Sequence, residues 1–482
     1  MNRPERTSVK RVAVVGGGIT GLAAAHRLRE IGIQTGREIS FSLLEAEQRL
    51  GGVISSRQED GFLLEAGPDS FITDRPGVLR LAERLGIQDR MIPTRPEHAR
   101  SFVVRKGKLH PTPAGFYLIA PSRLLPFLTT PILSLKGKFR AGLDLLIPRR
   151  KSTEDESIGN FVIRRLGQEA LDRLAQPMIA AIYGGDPMHL SLLATFPRFR
   201  RMEEEHGSVI RALWAAARRQ SGADRSASTA SGPRYGLFMS FDTGLQLLVE
   251  TLRHRIPPET IRTGTAVEQI SPDPGGGWRL RLRGSPGPGE RFDALILALP
   301  GPSTARLAQS FDPGLGNRIA EIPYGPSTTV SLAFRKTDIG HKMDGFGFVI
   351  PAQEGFRIRG CTFCHRKYPA RAPEGSALLR AFHDRLYSDL SDEELVEKTR
   401  EELARLLGIR GEPILARVAR YPGGLPHYPV GHRLIVTNIR DRVERHPGLA
   451  LAGNAYGGVG IPDCIQSGES AADAVAGYLA QL

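Results

Sequence analysis

Six residues near the N-terminus, Gly16-Gly17-Gly18-Ile19-Thr20-Gly21, place glycine where a backbone must come close to a diphosphate. In this reading Gly16 makes a tight turn, Gly18 lets a pyrophosphate approach the main chain, and Gly21 lets a helix pack closely on a strand. A G-x-G-x-x-G motif takes its meaning from its flanks. Here strand-prone residues 11–15 run into the turn and an amphipathic run over 22–30 leaves it, so the turn opens onto a helix N-terminus. Free N–H groups and the positive end of the helix dipole would hold phosphates there. A second strand over 39–44 ends in Glu45, where a dinucleotide site needs a carboxylate for ribose hydroxyls. The competing reading is an ordinary glycine-rich strand-to-helix turn.

The residues that follow suit a flavin better than a nicotinamide. Ala46 leads to Arg49 and then to Gly51 and Gly52, so backbone can pass close to an extended cofactor while Arg49 meets a phosphate or caps a helix end. Gly67-Pro68-Asp69-Ser70 adds a turn signal. Near the other end, an apolar strand over 449–454 leads through a glycine-rich loop to a helix predicted over 463–479, with Asp463 as its N-cap. A helix N-terminus at the N1–C2=O edge of a flavin would stabilise the negative charge of the reduced ring. A plain packing helix is the alternative. Cys361-Thr362-Phe363-Cys364-His365 matches C-x-x-C-H, the attachment pattern of c-type haem. Strand geometry would send the two cysteines to opposite faces, which argues against attachment. No metal cluster, triad or general base can be picked out, and no catalytic residue is assigned.

Length and composition bound the rest. The chain has 482 residues, 40% hydrophobic and 24% charged, as expected for a globular protein of two or three domains. Its net charge of +14 ranks an acidic substrate first, then a membrane surface, then nucleic acid. The basic residues are scattered and not interleaved with aromatics, so no nucleic acid is expected. Three cysteines exclude a disulfide framework. The polar first ten residues show no secretory signal, and the apolar stretch 116–135 is broken by prolines and an arginine, which predicts a cytoplasmic protein without a spanning helix.

Further elements follow from pattern. Helices are expected over 76–85, 157–183 and 392–407, and a hairpin over 102–109 turning at Lys106-Gly107. Strands at 265–270, 278–282 and 292–298 should extend the cofactor domain, and further strands are expected at 326–335 and 345–350. The Ser/Ala/Gly tract 221–232 reads as a mobile loop. Residues 111–150 are proline-punctuated, apolar and basic, which fits either short amphipathic helices on a membrane surface or a helical domain packed on its own core.

Taken together, the G-G-G-I-T-G turn, L-E-A-E-Q-R-L-G-G and E-A-G-P-D-S resemble the flavin-containing amine oxidase and porphyrinogen oxidase superfamily. A-I-Y-G-G-D-P at 181–187, T-F-P-R at 195–198, L-A-G-N at 451–454 and His206-Gly207-Ser208 are similar to the oxygen-dependent protoporphyrinogen oxidases of the HemY type. The resemblance implies an α/β fold: a Rossmann-like FAD-binding domain, discontinuous over 1–90, 235–300 and 441–482; a mixed-sheet α+β substrate domain over 91–110 and 301–440; and a helical membrane-associated domain over 111–220. It implies FAD contacts at residues 16–21, Glu45, Ala46, Arg49, Gly51, Gly52, Gly67, Pro68, Asp69, Ser70, Val267, Gly453, Val459, Gly460 and Ile461, and at Tyr421, where the family usually has Trp. Phe363 matches a ring that packs on the tetrapyrrole. Arg100 is the candidate propionate anchor, although family members carry that Arg where Ser101 stands, and one residue of shift reverses side-chain direction in a strand. The implied reaction is six-electron oxidation of protoporphyrinogen IX with dioxygen as acceptor and peroxide released, with coproporphyrinogen III, or an amine or carotenoid, as alternatives. Partners left open are the cytoplasmic face of the inner membrane, a ferrochelatase that receives the product, and a second copy of the chain.

Overall fold

The computed structural model describes residues 9–37, 39–220 and 238–482. The tract 221–232 lies outside the described residues.

A five-stranded parallel sheet runs in the order Ile261–Arg262, Ile39–Leu44, Lys10–Val15, Ala294–Leu297, Leu449–Leu451. Its central strand is buried on both sides from Val12 onward, which is why the sequence there is a continuous apolar run instead of an alternating one. Val12 and Val14 pack under the helices Ile19–Thr35 and Ile461–Leu479, while Ala13 and Val15 face Ile270, Trp278 and Leu280. Those last three belong to an antiparallel sheet of Val267–Pro272, Trp278–Leu282 and Glu290–Phe292. The strands expected to extend the cofactor unit therefore do so by covering a face of the parallel sheet. The stretch 292–298 divides at Asp293, whose carboxylate accepts from the Arg11 N–H at 2.8 Å.

A seven-stranded sheet lies beside this unit, in the order Leu415–Pro426, Tyr324–Arg335, Ser376–His383, Gly360–Phe363, Gly347–Val349, Phe102–Arg105, Lys108–Pro111. Only the pair Gly347–Val349 and Phe102–Arg105 is parallel. One face packs on the helix Asp392–Leu407 through Leu395, Leu403 and Leu407. Ser391 and Glu394 close that helix with a reciprocal capping box, a device worth about 1 kcal/mol.

Residues 124–220 are mostly helical and have their own apolar core around Phe161, Ile179 and Phe199. The helix expected over 157–183 breaks at Gly167, whose backbone (φ 92°, ψ 163°) is not helical, into Ile158–Leu166 and a second helical run ending at Tyr183. Ser157 caps the first segment, accepting from the Asn160 N–H at 3.0 Å. Arg165 and Asp144 form a buried ion pair at the centre of this block. Among the described residues no helix is long and apolar enough to cross a membrane.

Candidate functional site

The glycine turn is built from three different steric situations. Gly16 has φ +109°, and a Cβ there would lie 2.4 Å from the Ala298 carbonyl oxygen. At Gly21 a Cβ would lie 1.8 Å from the Gly16 carbonyl oxygen, so the helix reaches the strand only without a side chain. Gly18 is the opposite case. Its φ of −70° suits any residue, and an added Cβ would find no protein atom nearer than Gly52 Cα at 4.0 Å. Gly18 is also the N-cap of the Ile19–Thr35 helix and offers no side chain to its free N–H groups. An open space at the positive end of a helix, bounded by glycines on two loops, fits a diphosphate.

Glu45 completes the cradle. Its carboxylate accepts from the Gly17 N–H at 2.6 Å and from the Glu47 N–H at 2.8 Å, which fixes it at the end of the second parallel strand. Ala46 follows it, exposed. The 49–52 loop docks on the turn through a Gly51 N–H to Gly17 carbonyl bond of 2.8 Å. Arg49 caps no helix: its guanidinium donates to the carbonyls of Leu50 (3.0 Å), Ile54 (2.9 Å) and Gly52, holding its own loop in shape.

The Glu65–Ser70 loop is fastened to the seven-stranded sheet. Arg380 donates to the carbonyls of Glu65 at 2.9 Å and Gly67 at 2.8 Å, and the Thr329 hydroxyl donates to the Ala66 carbonyl at 3.0 Å. Lys367 donates to Asp69 at 2.7 Å and to the Ser70 hydroxyl at 3.0 Å. Burial alone would raise the Asp69 pKa, but the charges of Lys367 and Arg380 outweigh it and hold the carboxyl well below the usual range. Tyr421, on the edge strand of the same sheet, is pushed up by burial against the opposing charges of Arg49 and Arg380. The loop that precedes Ser70 thus forms the seam between the two sheets.

At the C-terminal end, Gly453 has φ +132° and its N–H donates to the Ser467 hydroxyl at 3.0 Å. Tyr324 donates to the Asn454 side-chain oxygen at 2.8 Å, and the Tyr428 hydroxyl donates to the Asn454 carbonyl. The last helix begins at Ile461 with Gly460 as N-cap, two residues earlier than expected. Asp463 therefore stands inside the first turn, where it pairs with Arg75. Val459 packs against the core of the helical block, and Ile461 against that of the parallel sheet. Val267 opens the antiparallel sheet, beside the core under the parallel strands.

Two expected residues are not brought to this seam. Phe363 is 0% exposed, packed on Phe348 and His341 in the core between the sheet and the Asp392–Leu407 helix. Its register position turns it away from any open face. Arg100 lies before the Phe102–Arg105 strand, half-exposed, and pairs with Asp344 at 3.0 Å. The C-x-x-C-H segment also resolves: Cys361 faces the same core as Phe363, whereas Cys364 starts a short helix and packs with a separate cluster around Phe62 and Leu64. Burial pushes both thiols up, Cys364 to about 11, which suits inert thiols. Sequence reasoning missed Lys367, Arg380, Thr329 and Tyr324. The one available signal was Arg380, a lone charge inside the apolar strand S-A-L-L-R-A-F-H, where burial requires a partner.

Comparisons with known proteins agree with this geometry. A profile of the family described as flavin containing amine oxidoreductase matches residues 19–476. The chain is 33% identical over 475 residues to coproporphyrinogen III oxidase of Bacillus subtilis, covering 98% of each chain. It is 28% identical to protoporphyrinogen oxidase 2 of Arabidopsis thaliana, covering 98% of this chain and 95% of the other. A crystal structure from Exiguobacterium sp. 255-15, provisionally named protoporphyrinogen oxidase, superposes with a TM-score of 0.85 at 30% identity, covering 98% of this chain and 100% of that one. The cofactor is a flavin. The chain belongs to the flavin-containing amine oxidoreductase family, in its porphyrinogen oxidase branch.

Proposed function

We propose that this chain is an FAD- and oxygen-dependent porphyrinogen oxidase of haem biosynthesis, with coproporphyrinogen III as its substrate. The observation that carries the substrate assignment is the closer sequence likeness to bacterial proteins named coproporphyrinogen III oxidase, 32–36% identical. Protoporphyrinogen IX, which the sequence alone puts first, is the second reading, supported by plant relatives at 26–28%. FAD would supply the hydride acceptor for three two-electron steps, with dioxygen as the final oxidant.

The protein's part is to bind and orient. The Gly18 gap and the helix end behind it would take the diphosphate, and Glu45 the ribose. The Glu65–Ser70 loop, held by Arg380 and Lys367, would set the distance between cofactor and substrate sheet. Arg100, although it lies off that seam, would anchor a carboxylate arm reaching beyond it after exchanging Asp344, since a half-exposed ion pair contributes only about 0–1 kcal/mol. The four carboxylates of coproporphyrinogen suit a strongly basic chain.

The helical block supports peripheral contact with an anionic lipid surface. Leu125, Leu135, Phe139 and Leu146 are 72–84% exposed, beside Lys136 and Lys138. Aerobic oxidation of coproporphyrinogen III and protoporphyrinogen IX, followed side by side by porphyrin fluorescence, tests the substrate assignment. Preference for the tetracarboxylate is expected, and preference for the dicarboxylate would move the chain to the second reading.

A further inference from the structure

A cleft of about 420 Å³ opens between the helical block and the flavin unit, beside the Tyr456–Gly457 turn. The helix His432–Val443 forms one wall. Arg433 and Arg440 stand seven residues apart on it, close to two turns and about 10 Å along one face, with Val436 between them. Arg442, on the same helix but turned away, is taken up by Asp312 at 2.6 Å. The guanidinium groups of Arg433 and Arg440 have no ion-pair or hydrogen-bond partner among the described residues. Arg75 also lines the cleft, pinned by Asp463.

No carboxylate lines this space, and its far wall is apolar, formed by Leu193, Ala194 and Pro197. Beneath the cleft His432 stacks on the buried Tyr428 at 4.0 Å and 11°, beside Tyr456. His432 is 3% exposed, and neither ring nitrogen makes a hydrogen bond of normal geometry. Two unpaired arginines two turns apart on one helix face, against an apolar wall, select an apolar molecule that carries separated carboxylates.

We propose that this cleft is a second binding site that holds the oxidised, planar polycarboxylate porphyrin by its carboxylate arms, apart from the site where porphyrinogen is oxidised. The assignment rests on the function proposed above, because that reaction makes such a molecule. The aromatic product holds its carboxylate arms splayed from one rigid plane, at separations that a puckered porphyrinogen does not keep fixed. Held here, the product would leave the oxidation site free for the next substrate.

Titration of FAD-loaded protein with coproporphyrin III, read by fluorescence anisotropy, tests this. Two sites per chain are expected in the wild type. Arg433→Gln with Arg440→Gln should weaken one of them at least tenfold and leave single-turnover oxidation of porphyrinogen unchanged. Thr437→Trp, an exposed position on the cleft rim, should block the same site sterically with all charges kept. One site in the wild type, or two undiminished sites in both variants, overturns the proposal and leaves the enzyme reading standing. Complete displacement by inorganic phosphate at equal charge also overturns it, by making the cleft a general anion site. Failure of the wild type to oxidise either porphyrinogen overturns the function on which the proposal depends.

Discussion

Gly18 and Gly21 belong to one motif yet predict opposite outcomes. A side chain at Gly21 strikes backbone, so Gly21→Val is expected to unfold the turn. At Gly18 the backbone accepts a β-branched residue and the space is free of protein, so Gly18→Val should fold normally and fail only in binding FAD. Even ~1.4 kcal/mol of clash lowers affinity about tenfold, so loss of yellow colour with unchanged circular dichroism is expected. Stoichiometric FAD in Gly18→Val would contradict the cradle. Arg100→Ala should raise KM for porphyrinogen with little change in kcat, and unchanged kinetics would remove Arg100 from the site. Glu65 makes a prediction in pH. Burial raises its carboxyl from 4.5 to about 7, against hydrogen bonds from Ser56 and the Leu245 N–H. An acid that is weaker folded than unfolded takes up a proton on folding, so its contribution is full below pH 4.5 and is lost as pH rises through about 7. The whole effect is at most ~3 kcal/mol. Glu65→Gln should therefore lose less Tm than the wild type between pH 5 and pH 8. Parallel curves would show that Glu65 is charged throughout.

At the scale of elements, the first strand, turn, helix and second strand were legible because each obeys a local rule: an apolar run, a spaced set of glycines, a carboxylate at a strand end. The helix Asp392–Leu407 was equally clear from its pattern, and the structure adds the capping box of Ser391 and Glu394 that closes its start. Non-local partners were not legible. Asp463 reads as an N-cap until Arg75, 388 positions away in sequence, takes its carboxylate. Phe363 reads as a ligand-facing ring until strand register turns it into the core. His206-Gly207-Ser208 marks the family without showing why. In the fold, the Gly207 carbonyl accepts from Arg165 at 2.8 Å, while the Ser208 hydroxyl donates to Asp144, the partner of that same arginine. This buried hub ties three stretches of the helical block together, so the motif is structural. Removing one partner of a buried ion pair costs about 3–5 kcal/mol, and Asp144→Ala is expected to lose that much in urea denaturation. A loss under about 1 kcal/mol would mean that the hub is solvated, as exposed pairs are.

The whole molecule joins a parallel-sheet unit, which carries the glycine cradle, to a seven-stranded sheet and a helical block, and two further candidate sites lie at the junctions between them. The Glu65–Ser70 loop fills the seam between the sheets, while the arginine-lined cleft separates the helical block from the flavin unit. Exposed Leu135 and Phe139 set the block's outer face apart from its packed interior. Replacing both with Asp should abolish sedimentation with anionic vesicles and leave oxidation of dissolved substrate intact; undiminished sedimentation would remove this face from membrane contact. The central claim is that FAD held by the glycine cradle takes electrons from a porphyrinogen. Anaerobic mixing of the yellow protein with coproporphyrinogen III tests it most directly. Bleaching of the flavin with porphyrin fluorescence appearing in step, and return of the colour on admitting dioxygen, is the predicted result. A flavin that stays yellow with both coproporphyrinogen III and protoporphyrinogen IX, yet bleaches with dithionite, would contradict it.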